Sequence, residues 1–330
     1  MGSVDFLDRF KGALLGCAIG DAAGAAIERS AKEAFREIIE EGSLTAALRE
    51  ESFEITHNTQ MMVVMAQSLV ETGRFSLPHT AFKFGRYIEY SDMGVKEAVG
   101  IDDVCAEACR TIYRERKYEK IALPGEGICP AVRAVPVALR YFEKENEMLE
   151  HTIAQAEITH CDTASTGAAL AVAQTISICL GEKNQIKPDR LVKSVADFVE
   201  ENDPYLSRLL NHLLNEEFFN PDMGALNKKS KNSDESEEMK GVHRTFISAL
   251  SSFVRFPPDF EKCLIETMKA GKELSGCGAI AGAIAGAYCG KSNIPSSFVK
   301  KMRGSDYIEG LAIKLFTLTP ASAAQPRSFL

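Results

Sequence analysis

Residues 271–290 read GKELSGCGAIAGAIAGAYCG, with glycine at 278, 282, 286 and 290 in a run otherwise rich in Ala, Ile, Tyr and Cys. The spacing predicts a helix, although each interior glycine costs about 1 kcal/mol relative to alanine. Something must offset that cost. A membrane is one answer, because small residues at every fourth position let transmembrane helices approach closely. The apolar part, from Gly278 to Cys289, falls short of the roughly 20 residues a span requires, and the rest of the chain is read as holding no longer charge-free run. A better answer lies near the other end. Residues 10–28 read FKGALLGCAIGDAAGAAIE, with glycine at 12, 16, 20 and 24. Each four-residue step carries a helix about 40° past a full turn, so each set forms a slanting bare stripe. Two bare stripes predict two central helices packed backbone to backbone.

A chain of 330 residues, 45% hydrophobic and 25% charged, can bury a sizeable core. Its formal net charge of −8, with Lys and Arg dispersed, offers no basic face for nucleic acid. The nine cysteines are odd in number and include no Cys-x-x-Cys, and Cys17, Cys179, Cys263, Cys277 and Cys289 sit in apolar stretches. They are read as reduced core thiols of a cytoplasmic protein. The N-terminal residues lack the apolar region of a secretory signal, so neither secretion nor a membrane is expected.

Apolar residues recur at helical spacing over 6–27, 61–70, 131–142, 164–180, 191–199, 206–214, 246–254, 260–268, 280–288 and 307–316. Pro188, Pro204, Pro258 and Pro295 fall near starts, and Gly73, Gly181 and Gly290 near stops. With no convincing alternating series, the expectation is an all-α protein of about a dozen helices in one domain over 1–330. The polar tract NKKSKNSDESEEMK at 227–240 is expected to be an exposed loop.

The two glycine helices, together with GICPAVRAVPVAL at 127–139 and ITHCD at 158–162, resemble the motifs of the ADP-ribosylglycohydrolase family in the right order. The resemblance implies that family's compact orthogonal helical bundle. It also implies two magnesium ions, held by a Thr-Asp-Asp-Thr stretch at a helix start and an Asp-Thr-Asp-Thr stretch before the second glycine helix. Magnesium prefers hard oxygen ligands, and a metal pair can orient the ribose and activate water against the anomeric carbon.

This chain departs from the family pattern at those carboxylates. It reads Thr56-His57-Asn58-Thr59 at the first stretch and Glu273-Leu274-Ser275-Gly276 at the second. Glu28 stands where the family's N-terminal motif closes with a glutamate, so two carboxylates remain at most, and a family-type magnesium pair is not expected. In the middle loop Arg133 and Pro136 are kept, while Ile128 and Cys129 replace the family's Asn and second Gly.

Plain structural roles compete with ligand roles at each position. Thr56 or Asn58 can cap the helix that follows. His57 can be an ordinary core or surface histidine, and Glu273 can favour a helix start without any ligand. Asp21, mid-helix among apolar residues, needs a buried partner. His160, Cys161 and Asp162 place imidazole, thiol and carboxylate side by side, but neighbours in sequence rarely converge, so Cys161 is not read as a nucleophile. His57, Asn58, Glu273 and Cys277 form a mixed set that a softer metal such as zinc could use, although their spacing matches no familiar zinc pattern.

The resemblance implies a ligand cleft between loops 56–59, 127–133 and 271–276. Thr56, His57, Asn58, Gly127, Arg133, His160 and Ser275 are the candidate ligand-binding residues. Glu28 and Glu273 would be catalytic if activity is kept, and Thr56 and Glu273 are the remaining metal candidates. No cofactor is expected unless residual activity retains magnesium. The expected partner is an ADP-ribose-like small molecule or an ADP-ribosylated protein. An active hydrolase with changed metal use and a ligand-free scaffold stand as alternatives.

Overall fold

The computed structural model describes residues 6–29, 44, 54–92, 100–182, 185–215, 239–269 and 273–319. Among these residues there are 14 α-helices, one short 3-10 turn, no strand, and an isolated bridge between Leu123 and His160. The protein is all-α. Most of the tract at 227–240 lies outside the described residues; at its end Met239 is buried and Lys240 exposed.

Helices α1 (Phe6–Arg29) and α12 (Leu274–Cys289) make the most extensive contact in the molecule. Gly12 faces Gly286, Gly16 faces Gly282, Gly20 faces Gly278 and Gly24 faces Leu274, so the helices run antiparallel. A methyl group added at any of the four α1 glycines would come well within 3.0 Å of the opposing backbone carbonyl. The contact is therefore backbone on backbone over twelve residues, about 18 Å of helix. Dense dispersion contacts along that length offset the helix cost of the glycines.

Around this pair pack α2 (His57–Thr72), α5 (Cys129–Tyr141), α7 (Thr163–Gly181), α10 (Gly241–Arg255), α11 (Phe260–Met268) and α14 (Ser305–Thr317). The membrane expectation needs one correction. Thr163–Gly181 is charge-free and longer than the 278–289 run, and both it and Phe6–Arg29 have the length and hydropathy of a span. Both bury 94% of that apolar window among other helices, which accounts for their composition.

The outer helices are α3 (Leu77–Asp92), α4 (Asp103–Glu115), α6 (Glu145–Ala156), α8 (Pro188–Val199), α9 (Pro204–Asn215) and α13 (Ser296–Lys301). Four of these, α3, α4, α6 and α13, have no counterpart among the helices expected from sequence. Helix α4 buries Cys105, Ala106, Ala108, Cys109 and Ile112 on one face, a stripe of mostly small side chains whose helical spacing is present in the sequence.

Candidate functional site

Asp21, completely buried in the middle of α1, lies beneath the N-terminus of α2. It accepts from the Thr56 amide at 2.8 Å, the Thr56 hydroxyl at 2.6 Å, the Thr59 amide at 3.3 Å and the Thr59 hydroxyl at 2.6 Å. Burial pushes its carboxyl up to about 6, against the downward pull of those hydrogen bonds. Thr56 also caps α2, its Oγ1 accepting from Asn58 N at 3.2 Å. One hydroxyl thus serves both the helix and the aspartate under it.

The same pattern repeats around one end of the molecule. Glu28 Oε1 accepts from Leu274 N, the first amide of α12, at 2.6 Å. Glu126 Oε2 accepts from Val242 N, in the first turn of α10, at 3.0 Å. Asp102 Oδ1 caps α4 through Cys105 N at 2.7 Å, and Asp162 Oδ1 caps α7 through Ala164 N at 3.0 Å. Five helix N-termini are therefore each met by a carboxylate, the placement their macrodipoles favour.

These ends adjoin one another. Gly127 N donates to Ser165 Oγ at 3.0 Å, Lys240 Nζ lies 3.7 Å from Asp162 Oδ2, and His160 Nε2 lies 3.3 Å from Asp102 Oδ1. Glu273 sits among the carboxylates, its own group raised first by burial and then by Glu28, Glu126 and Asp102. It occupies the left-handed region at φ 51°, unusual for a residue with a side chain, and caps α12 with no side-chain hydrogen bond.

The two residues expected to be catalytic, Glu28 and Glu273, are thus brought together. Thr56, His57 and Asn58 form the buried start of α2, with exposures of 4%, 4% and 2%. Gly127 presents its bare α-carbon to His160: a methyl group there would come within 3.0 Å of Nε2 and lie 3.1 Å from Asp102 Oδ2. Ser275 is half-buried, its backbone against Gly24.

Arg133 differs from the expectation that it contacts ligand. It is wholly buried, stacks at 4.6 Å over Phe84, and donates to Gln155 and Thr159. A guanidinium with these partners holds the core together. His160 is likewise wholly buried. Cys161 is exposed, and its amide donates to Leu123 O. The mixed set of His57, Asn58, Glu273 and Cys277 is not assembled: Cys277 turns its thiol to Thr245 O at 3.8 Å. Among the described residues, no three His, Cys, Asp or Glu side chains are grouped to hold a metal ion.

Sequence reasoning missed Asp102 and Glu126. Signals for both were present, since Asp102-Asp103 precedes a helix and Glu126 adjoins the quoted loop at 127, but neither residue falls inside a motif.

The comparisons agree with this architecture. Residues 2–325 match the ADP-ribosylglycohydrolase family. An uncharacterized protein of Archaeoglobus fulgidus is 26% identical over 320 residues, covering 94% of this chain and 97% of that one. The ADP-ribosyl-[dinitrogen reductase] glycohydrolase of Rhodospirillum rubrum is 25% identical over 304 residues, covering 89% and 90%. The mouse ADP-ribosylhydrolase ARH3 is 22% identical over 341 residues, covering 94% and 91%. A solved structure described as an ADP-ribosylglycohydrolase-related protein complex superposes with a TM-score of 0.70 at 20% identity, covering 96% of this chain and 99% of its own. With its glycine-striped helix pair and a family match along nearly its whole length, the chain belongs to the ADP-ribosylglycohydrolase family.

Proposed function

We propose that this protein binds an ADP-ribose-like or nucleotide ligand, free or on an ADP-ribosylated protein, and has lost the two-magnesium hydrolysis of its family. The observation that carries this reading is the start of α2. His57 and Asn58 stand where the family pattern has aspartates, and the Thr56 hydroxyl is already spent on Asp21 and on capping the helix. A pair of divalent ions brings four positive charges and needs compensating oxygen ligands. The remaining carboxylates Glu28, Glu126 and Asp102 each accept a helix amide, a structural task that gives a reason for their presence without metal. The residues here do not fit a magnesium pair. A cytoplasmic setting is proposed with this reading, supported by nine free cysteines.

A second reading has its own support. Glu273 lies beside Glu28 with its carboxyl held above the ordinary range, the condition of a poised general base in an active hydrolase with altered metal use. Relatives named as hydrolases of ADP-ribosylated substrates favour it.

Isothermal titration of ADP-ribose, with and without Mg²⁺, separates the two when the same samples are assayed for ribose release from an ADP-ribosylated peptide. Binding indifferent to Mg²⁺ and no turnover are expected. Metal-dependent turnover would overturn the proposal in favour of the second reading.

A further inference from the structure

We infer that buried Thr159 and Arg133 are positioning residues for the site, acting through His160 to hold the Asp102 carboxylate in place. Arg133, Thr159, His160 and Asp102 form a chain of four side chains that starts in the core and ends among the helix N-termini.

Arg133 is a fixed starting point because a guanidinium only donates. Its Nη2 donates to Thr159 Oγ1 at 2.9 Å, so that oxygen accepts there and has one proton of its own to place. Two acceptors are near: His160 Nδ1 at 2.8 Å and Ala156 O at 3.5 Å. The nearer wins, since 3.5 Å is the outer limit of a hydrogen bond. His160 Nδ1 therefore accepts and carries no proton, which puts the ring proton on Nε2. That nitrogen lies 3.3 Å from Asp102 Oδ1, within electrostatic reach of the carboxylate but without hydrogen-bond geometry in the resting protein.

The consequence falls on Asp102. Burial raises its carboxyl, yet the His160 contact and the Cys105 amide outweigh burial and leave it below the ordinary value. With Oδ1 capping α4 through Cys105 N and facing His160 Nε2, Oδ2 is buried without a hydrogen-bond partner and lies beside the bare face of Gly127. A carboxylate oxygen kept free in that position accepts from a ligand hydroxyl or N–H. The opposite tautomer of His160 would turn a lone pair toward Asp102 and repel it. Thr159 and Arg133 touch no ligand; they select which ring nitrogen faces the site. The ligand part of this inference rests on the proposed function, whereas the tautomer belongs to the free protein.

The test is a long-range ¹H–¹⁵N correlation spectrum of histidine-labelled full-length protein, with His160 assigned through His160→Gln. In the wild type, His160 is expected to show a pyridine-like Nδ1 and a pyrrole-like Nε2. Thr159→Ser keeps the hydroxyl and the pattern. Thr159→Val, of matched shape, loses the single pattern and weakens ADP-ribose binding about tenfold, the scale of lost outer-shell contacts. A wild-type His160 protonated at Nδ1 overturns the inference whether or not Thr159→Val folds. So does a folded Thr159→Val with unchanged tautomer. Failure of ADP-ribose to bind the wild type counts against the proposed function alone, and the tautomer still decides this inference.

Discussion

Asp21 Oδ1 lies 2.6 Å from Thr56 Oγ1, so a carboxylate in the middle of the central helix fastens the residue that caps α2. The four hydrogen bonds it accepts there all come from Thr56 or Thr59 donors. In Asp21→Asn one oxygen becomes an NH₂ group facing donors, and a buried hydroxyl loses its acceptor. The variant is expected to lose about 2–4 kcal/mol of stability by urea unfolding at pH 7.

Asp21 also sets a pH dependence. Its folded carboxyl, at about 6, stands above its ordinary 3.8, so the folded state holds a proton that the unfolded state releases earlier. The resulting stability is fully present below pH 4 and is lost as pH rises through 6. Wild type minus Asp21→Asn is therefore expected to fall in stability between pH 4 and pH 6.5; a flat difference would show that the carboxyl is not raised.

Gly20→Ala tests the helix pair. The added methyl overlaps the Gly278 carbonyl, and backbone has no rotamer with which to yield. A loss of at least about 3 kcal/mol is expected in chemical unfolding, against the usual gain from Gly→Ala inside a helix.

Glu273→Gly relieves a left-handed backbone and removes one of four neighbouring carboxylates. Glycine takes φ 51° without a Cβ penalty, so a gain of about 1 kcal/mol is expected. The wild-type carboxyl is raised, and its favourable contribution fades as pH rises. The melting-temperature gap between variant and wild type should therefore be wider at pH 7 than at pH 4.

Eight of the nine cysteines are buried and Cys161 is exposed. Burial pushes the Cys277 thiol up to about 12 and Cys17 and Cys179 well above their ordinary value. A thiol reagent is expected to modify one cysteine in the native protein and nine in denaturant, with Cys161→Ser abolishing the native reaction. Fast modification of a second native thiol would contradict the packing around α1 and α12.

The ten apolar segments read from the sequence all lie within or against observed helices, because a helix that buries large side chains at 3.6-residue spacing writes that period into its composition. The paired glycine stripes announced a close contact for the same reason: four absent side chains on each helix leave a mark in sequence, while the antiparallel direction came from the fold. The departures at His57, Asn58 and Glu273 were equally visible, being single identities at positions fixed by flanking motifs.

Tertiary structure decided the rest. Asp102 and Glu126 joined Glu28 and Glu273 only because five helix N-termini meet in space, a convergence no spacing along the chain records. Arg133 was legible as a motif residue, yet whether it pointed to ligand or core depended on Gln155, Thr159 and Phe84, all remote in sequence. The sequence by itself determined ten of the fourteen described helices and the central pair, since periodicity and small residues are local properties. The hydrogen bonds from Arg133 through Thr159 to His160 were decided by the fold, because a shared proton belongs to whichever acceptor the folded chain brings nearest.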